Sequence, residues 1–324
     1  MSGRYLLTKV GQAIFTIVML MVLNFVLFRM MPGSPERILG RNPNVSAAAI
    51  EATRERWGLD KPVLPDQFVS YITATFQGDL GFSFIYRGLP VVDVLADRIW
   101  PTLILFGLGE LIAIVVGVSL GAYTGWRRGG IVDHLGNSAS LVLYAAPYFL
   151  IGMILLLVFA VGLGWFPTYG MYTVGAVYTS FADQLLDFLA HLTLPLATVA
   201  LGLIGQYSIV MRSSIVETLN EEYVTTARAK GLSDGRIMRH HALPNAMLPM
   251  ATLIAINLGY VVAGAITVEV VFNWPGLGTL TVDALTARDY PVLQGIFLVL
   301  SVSVVVANLI ADLGYQFLDP RVKA

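Results

Sequence analysis

The chain has 324 residues, of which 56% are hydrophobic and only 13% are charged, about half the charged fraction that is usual in soluble domains. A formal charge of −1 argues against a nucleic-acid partner, and the absence of cysteine excludes disulfides, thiolate metal sites and cysteine nucleophiles. Because the apolar residues gather into long blocks without charges, we expect an all-α integral membrane protein in contact with lipid.

The first block runs from Val10 to Phe28 without a charged residue. About 20 apolar residues are enough for a helix to cross the hydrocarbon layer. Arg4 and Lys9 precede the block, as in a signal peptide, but it is too long for the apolar region of such a peptide and no A-x-A site follows. We expect residues 1–31 to form an uncleaved anchor span.

Residues 32–100 form a long segment that we place outside the cytoplasm. The stretch "PDQFVSYITATF", which opens at Pro65, has apolar residues at helical spacing and predicts a short amphipathic helix. A second stretch, "VVDVLADRI", ends at Trp100-Pro101. It predicts a separate elbow helix that lies along the membrane interface before the second span begins.

Further apolar blocks predict about six spans in total and a core bundle over residues 101–313. These blocks lie near residues 101–125, 137–162, 188–211, 245–268 and 290–311. A seventh span is the alternative for the charge-free stretch after Gly164, but its many Tyr, Thr and Gly residues favour an interfacial loop. Pro195 and Pro249 are expected to kink the fourth and fifth spans.

Basic residues in short connections indicate the orientation, because they resist translocation across the membrane. With the N-terminus inside, the short outer loops contain only Arg288. The cytoplasmic pieces contain Arg4, Lys9, Arg127, Arg128, Arg212, Arg228, Lys230, Arg236, Arg239, Arg321 and Lys323. We therefore expect both termini, including the tail over residues 314–324, to be cytoplasmic.

Four polar residues fall at membrane depth. A carboxylate such as Glu110 is costly there and should face protein or water. Three roles are open to it: pairing within the bundle, contact with a substrate amino group, or proton relay. The uncharged Gln206, Asn257 and Asn308 either bond across helices or face a translocation path. Glu110, Gln206 and Asn257 are our candidates for that path.

The longest cytoplasmic connection covers residues 213–244 and contains "EEYVTTARAKGLSDGRIMRHHALPNAMLP". Its composition predicts a helix over 215–229, a stop at Gly231 and a second short helix capped by Ser233. A rigid helix, turn and helix attached to two spans could transmit the movement of a soluble partner into the bundle.

This loop resembles the EAA loop of bacterial ABC import permeases, in the form found in peptide transporters. Ala227, Gly231 and the closing Leu243-Pro244 match that pattern. Thr225 stands where many such loops have a glutamate, and His241 replaces an aliphatic residue. The resemblance implies that the ATPase contacts lie at Thr225, Thr226, Ala227, Arg228, Ala229, Lys230, Gly231, Leu232, Ser233 and Asp234.

Two outer segments are similar to the B-type subunits of dipeptide and oligopeptide importers. They are "GDLGFSF" and "VEVVFNWPGLGTLTVDALTARDYPVLQG". With the C-terminal "LDPRVKA", the similarity covers essentially the whole chain. The signature residues that it implies are Asp79, Gly81, Ser83, Glu269, Trp274, Pro275, Gly276 and Gly278.

The resemblance implies a type I ABC importer permease fold and import of di- or oligopeptides by alternating access. It also implies four partners: a homologous second permease subunit, two ATP-binding subunits and an extracytoplasmic peptide-binding protein.

We expect no cofactor in this chain and no enzyme activity, with ATP and Mg bound by the partners, because the sequence lacks G-x-x-x-x-G-K-[ST]. Import of nickel or another small solute, or ion-coupled secondary transport, are the alternatives.

The remaining motifs predict no further site. His134, His191, His240 and His241 do not form a metal-binding set, since the only close pair is adjacent and diverges on a helix. His191 is expected to bond a neighbouring helix, with a contact to the transported peptide as the alternative. Leu232-Ser233-Asp234-Gly235 resembles an ABC signature by coincidence, and the Gly107-Leu108-Gly109 and Gly276-Leu277-Gly278 fragments indicate packing or turns.

Overall fold

The computed structural model describes residues 3–30, 51, 61–86, 88–261 and 266–318. Over these ranges the regular structure is helical, apart from one isolated antiparallel bridge between Phe82 and Pro90. Most of the outer segment before residue 61, and the tail residues Arg321 and Lys323, lie outside the described residues.

Twelve α-helices follow one another along the described ranges, together with three short π-helical turns. The α-helices are α1 Gly3–Met30, α2 Phe68–Phe76, α3 Val91–Trp126, α4 Ile131–Ala145, α5 Tyr148–Leu155, α6 Phe181–Leu219, α7 Glu222–Ala229, α8 Asp234–Ile237, α9 Leu243–Tyr260, α10 Ile266–Val271, α11 Leu277–Ala287 and α12 Tyr290–Leu318. The π-helical turns are Val63–Gln67 before α2, Leu156–Gly162 after α5 and Met238–Ala242 before α9.

The expectation of about six spans is confirmed. Five helical stretches are long and apolar enough to cross a membrane, and the bent pair of α4 with α5 is a sixth when its two helices are counted as one span. The predicted third span is therefore two helices that meet at 104°. Pro147 explains the bend, because Ala146 before it adopts an extended conformation with ψ 129, as steric contact with a following proline favours.

The fifth predicted block also differs from the structure. It was expected to run as far as residue 268, whereas α9 ends at Tyr260 and the separate helix α10 begins at Ile266. Pro195 and Pro249 lie inside α6 and α9, and neither interrupts its helix.

The prediction of a separate elbow helix before Pro101 is wrong, because α3 is continuous from Val91 to Trp126. Tertiary contacts outweigh the usual helix-breaking effect of proline. The first turns are held in a hydrophobic core in which Val91 and Leu95 pack with Leu293. The Pro101 carbonyl also accepts a hydrogen bond of 2.9 Å from the indole Nε1 of Trp274. One face of this segment is therefore buried in the protein core as the start of α3.

Small residues bring α3 into close contact with α6. Gly109, Ala113, Gly117, Gly121 and Gly125 recur every four residues along α3, the spacing that lets helix backbones approach in membranes. A Cβ atom on Gly117 would lie 2.6 Å from the Cβ of Tyr207. One on Gly121 would clash with the carbonyl oxygen of Ser208. The α3–α6 contact is thus possible only with glycine at these positions.

The chain after the bent pair forms a loop rather than a seventh span, as the sequence predicted. Residues 163–180 contain no helix. The loop is fixed to α6 by Asp187, which accepts hydrogen bonds from the Thr173 backbone N–H and from the Tyr178 hydroxyl. Ser180 then caps α6 by accepting a hydrogen bond of 3.2 Å from the Asp183 N–H.

Helix α1 packs at the edge of the bundle against α12 and α2. Asn24 donates hydrogen bonds to the Gln294 carbonyl and the Tyr71 hydroxyl. Near the other end of α1, Lys9 pairs with Asp312 at 2.8 Å. The predicted amphipathic helix is confirmed as α2, although it begins at Phe68 rather than at Pro65.

We predict that Gly121→Ala destabilises the protein by about 1–3 kcal/mol, because overpacking of a close contact forces backbone shifts. Thermal unfolding of the purified protein, followed by tryptophan fluorescence, measures this effect. Gly107→Ala on the same helix is the control, since a Cβ there meets nothing within 4 Å. Equal unfolding temperatures for the two variants would contradict the packing argument.

Candidate functional site

The predicted ATPase-contact residues form an exposed projection at one end of the bundle. Residues Thr225, Thr226, Arg228, Ala229, Lys230, Gly231, Ser233 and Asp234 are exposed, and Leu232 is half-buried. Ala227 is the exception, because it is buried in the core beneath α7. The arrangement therefore presents two basic side chains and several small ones on a helix and the turn that follows it.

The predicted helix over 215–229 is wrong in its first part. Helix α6 continues without interruption as far as Leu219, and α7 begins only at Glu222. The second predicted helix, α8, leads through the π-helical turn into α9. Ser233 precedes α8 but its side chain makes no capping hydrogen bond. The projection is thus continuous at both ends with long helices.

Gly231 ends α7 as predicted. Its φ of +79° lies in the left-handed region, which glycine adopts without steric cost. The Gly231 N–H donates to the Arg228 carbonyl and the Leu232 N–H donates to the Ala227 carbonyl. These two bonds form a Schellman motif, the usual glycine-terminated end of a helix.

Buried side chains fix the projection to the bundle. Val224 of α7 and Ile237 of α8 are fully buried in the same cluster as Met211 and Ile215 of α6. Asn220, between α6 and α7, accepts a hydrogen bond of 3.0 Å from Arg128. A force on α7 would therefore pass directly into α6.

A bidentate ion pair also joins α4 to α6. The Arg212 guanidinium donates to both carboxylate oxygens of Asp133, at 2.5 and 2.8 Å. Asp133 also accepts a hydrogen bond from the Gly129 N–H. Bidentate arginine–carboxylate pairs add geometric specificity to the attraction between charges. This contact therefore sets the position of α4 against the C-terminal part of α6.

The three candidate path residues meet at one cavity of about 280 Å³. Glu110 of α3, Gln206 of α6 and Asn257 of α9 all line it. The Asn257 side-chain amide donates to Gln206 Oε1 at 3.3 Å. Three separate spans thus contribute polar side chains to the same space.

Tyr207 is a member of this group that sequence reasoning missed. Its hydroxyl donates to Glu110 Oε1 and accepts a hydrogen bond of 3.1 Å from Asn257. The side chain is fully buried, with no exposed surface. A tyrosine in an apolar stretch gives no signal by itself, although its position next to Gln206 could have suggested it.

Two other polar residues lie elsewhere. Asn308 is not among the residues that line the cavity. His191 is buried, but its Nδ1 lies 2.8 Å from the carbonyl oxygen of Asp187, four residues earlier on the same helix. The expected bond from His191 to a neighbouring helix is therefore replaced by one within α6.

The outer signature residues form a buried hydrogen-bond cluster at the opposite end of α3. Glu269 of α10 is fully buried, and its Oε2 accepts hydrogen bonds from the Gly278 and Thr279 N–H groups at 2.7 and 3.2 Å. Its Oε1 accepts a bond of 2.7 Å from the Thr102 hydroxyl. The carboxylate therefore occupies the N-terminus of α11, where the helix dipole favours negative charge.

The two glycines of this cluster are required by the same carboxylate. A Cβ on Gly276 would clash with the Glu269 carboxylate oxygens. One on Gly278 would lie 2.9 Å from Glu269 Oε2 and 2.7 Å from the Ile266 Cα. Trp274 is fully buried and donates to the Pro101 carbonyl, while Pro275 continues the turn into α11. Burial raises the pKa of the Glu269 carboxyl, and the hydrogen bonds from Thr102, Gly278 and Thr279 oppose that increase.

The other signature, "GDLGFSF" at residues 78–84, contacts the same end of the bundle through Asp289. Ser83 donates to Asp289 Oδ2 at 2.5 Å, and the Phe84 N–H donates to the same oxygen at 2.9 Å. Asp79 accepts a hydrogen bond of 3.0 Å from the Gly81 N–H. The two signatures are far apart in sequence but are joined in the fold through a carboxylate that neither motif alone would single out.

Sequence families match nearly all of the chain. Residues 113–324 match the family described as binding-protein-dependent transport system inner membrane component. Residues 2–105 match the N-terminal family of the same membrane components.

Individual relatives extend over the full length. A protein from Brucella suis that is named as a peptide permease is 40% identical over 99% of both chains. The glutathione transport system permease protein of Escherichia coli is 37% identical over 98% of both chains. The oligopeptide transport system permease protein of Bacillus subtilis is 34% identical over 98% of this chain and 99% of its own.

A solved structure shares the fold. An inward-facing structure of the MetNI methionine ABC transporter aligns with a TM-score of 0.53 and 16% identity, over 70% of this chain and 96% of its own. This likeness agrees with a type I ABC importer permease architecture.

We predict that Glu269→Ala lowers the free energy of unfolding by at least about 2 kcal/mol, because buried backbone N–H groups of α11 lose their acceptor. Thermal unfolding in detergent measures the change. Asp283→Ala, at an exposed position of α11, is the control and should have little effect. A Glu269→Ala variant as stable as that control would show that the carboxylate does not hold this end of the bundle.

Proposed function

Because the chain belongs to the family of binding-protein-dependent transport system inner membrane components, we propose that it is the permease subunit of an ATP-driven importer of di- or oligopeptides. The chain is a multi-pass membrane protein and a transport subunit rather than an enzyme. The full-length relatives named for peptide, oligopeptide and glutathione transport support peptides as the substrate class.

The observation that carries this proposal is the exposed projection formed by α7 and the Gly231 turn. It is continuous with α6 and α9, and both helices contribute to the polar cavity. A soluble motor bound to the projection would therefore act on the two spans that line the cavity. In this reading, residues 213–244 couple the ATPase to the transport pathway, and residues 101–313 form the core that moves.

The proposed mechanism follows from the connection of the projection, through α6 and α9, to the polar cavity. ATP binding closes the partner subunits, the projection moves with them, and the cavity changes from one opening to the other. ATP and peptide must bind the two conformations with different affinities, since a ligand without that difference shifts no population. Hydrolysis then returns the assembly to its first state.

The proposal requires four partners. Two ATP-binding subunits, with ATP and Mg, would contact the projection, and a homologous permease subunit would complete the pathway. An extracytoplasmic binding protein would deliver the peptide. Purification of the chain from its native membranes, followed by mass spectrometry, should recover two ATPases and a second permease. Recovery without any ATPase would contradict the assignment.

We predict that Gly231→Pro lowers peptide uptake at least about tenfold while the bundle stays folded. Proline requires a φ near −65°, whereas the turn needs +79°, so the end of α7 would change shape at the motor contact. Uptake into proteoliposomes that contain the complete transporter measures the effect. Reversal of the charges at Arg228 and Lys230 to glutamate should give the same uncoupling.

Gly235→Ala is the matched control in the same loop, because a Cβ there meets nothing within 4 Å. It should leave uptake close to that of the unaltered protein. Full uptake by both Gly231→Pro and the charge-reversed variant would refute a coupling role for this projection.

The orientation yields a separate prediction. Since the chain contains no cysteine, single cysteines can be introduced without removing any. Lys230→Cys should react with an impermeant maleimide only from the cytoplasmic side. Phe76→Cys, at a side chain that is 75% exposed, should react only from the outer side. The reverse pattern would invert the proposed topology, in which both termini are cytoplasmic.

A further inference from the structure

The cavity between α3, α6 and α9 carries one acidic group and no basic one among its described lining residues. Glu110 is the acid, and none of the lining side chains is a lysine, an arginine or a histidine. Glu110 lies near the middle of α3, where ionised side chains are costly unless a partner compensates them. The cavity therefore provides a place for a positive charge that the described part of the chain does not supply.

The hydrogen bonds around Glu110 leave room for such a partner. The Tyr207 hydroxyl bonds Oε1, and among the described residues no group bonds Oε2. Beside it, Asn257 uses its amide N–H donors on Gln206 and Tyr207. Among the described residues this leaves the Asn257 Oδ1 as an acceptor and the Gln206 Nε2 as a donor. A primary ammonium has three donors, so it can bond the carboxylate and a neighbouring amide oxygen together.

The apolar part of the lining also suits a cation. Phe106, Tyr148 and Tyr260 place aromatic rings on the cavity. The faces of aromatic rings attract cations, and more strongly where water is excluded. An anion would meet the Glu110 carboxylate without any compensating positive group in the described lining.

Resting on the proposed function, we infer that this cavity binds the amino-terminal ammonium group of the transported peptide, with Glu110 as its counter-ion. The adjoining amides of Gln206 and Asn257 then bond the first peptide group. These contacts involve features that every unblocked peptide shares, so the site would require a free amino terminus without selecting side chains.

The size of the cavity limits what it can hold. Pockets that enclose whole small ligands span about 300–1,000 Å³, and this one has about 280 Å³. It is therefore sized for a terminus of the peptide rather than for an entire oligopeptide. The rest of the ligand would extend beyond the described lining.

A purely structural role for Glu110 makes a different prediction. If the side chain only bonds Tyr207, glutamine should replace it without loss, because the amide oxygen also accepts a hydrogen bond. If it is a counter-ion, Glu110→Gln removes the charge while keeping nearly the same shape. The substitution thus separates charge recognition from packing.

The test compares two small probes that differ only at the amino group, alanyl-alanine amide and N-acetyl-alanyl-alanine amide. Their binding to the complete transporter in lipid nanodiscs, without the binding protein, is measured by saturation-transfer NMR. We expect the free amine to bind the unaltered transporter more tightly than the acetylated probe. Glu110→Gln should weaken binding of the amine roughly tenfold or more, the usual effect of losing a charge-assisted hydrogen bond, and should leave the acetylated probe unchanged.

Two results would overturn the inference: equal affinity of the unaltered transporter for both probes, or equal affinity of the free amine for the unaltered transporter and for Glu110→Gln. The comparison of the two probes on the unaltered transporter needs no variant. It can therefore overturn the inference even if Glu110→Gln fails to assemble. Asp66→Asn, at an exposed residue before α2, is the control for carboxylate removal in general.

Failure of the proposed function would look different. In that case the unaltered transporter, supplied with its binding protein and ATP, would not take up a free peptide into proteoliposomes. Peptide uptake together with indifference to the amino group would reject the ammonium site alone.

Discussion

The close contact of α3 with α6 is the constraint on which the rest of the structure depends. Small residues at every fourth position of α3, glycine at all but Ala113, allow the two backbones to approach closely. In lipid such close packing replaces the hydrophobic effect as the force between helices. The contact places Glu110 beside Tyr207 in the middle of the bundle. Towards the projection, it places Gly125 against Ile215 of α6. The polar cavity and the base of α7 are therefore parts of one rigid pair of helices.

The two ends of this pair are stabilised by different interactions. At one end, the Glu269 carboxylate bonds the N-terminus of α11 and Thr102 of α3. At the other, apolar side chains of α7 and α8 pack with α6, and the Arg212–Asp133 ion pair adds α4. The buried, hydrogen-bonded carboxylate of Glu269 is costly to disrupt. The exposed projection with Arg228 and Lys230 is instead accessible to a partner. This difference suits a transporter that receives force at one end only.

In the structure, the outer signature residues have a packing role. Their resemblance to peptide importers could suggest contacts with substrate, yet Glu269 and Trp274 are fully buried and Ser83 is nearly so. Gly276 and Gly278 are needed for the approach of the Glu269 carboxylate. These residues therefore hold together the end of the bundle opposite the projection. The inferred ammonium site lies instead in the polar cavity at the level of Glu110.

The sequence by itself determined the number of spans, the aromatic loop after Gly164, the end of α7 at Gly231 and the polar residues worth examining. Each depends on local composition or spacing. It did not predict that α3 continues through Pro101, that the third span bends at Pro147 or that α6 runs on to Leu219. Only the tertiary structure decided the Tyr207–Glu110 and Ser83–Asp289 contacts, because hydrogen bonds between residues far apart in the chain exist only after the helices have packed.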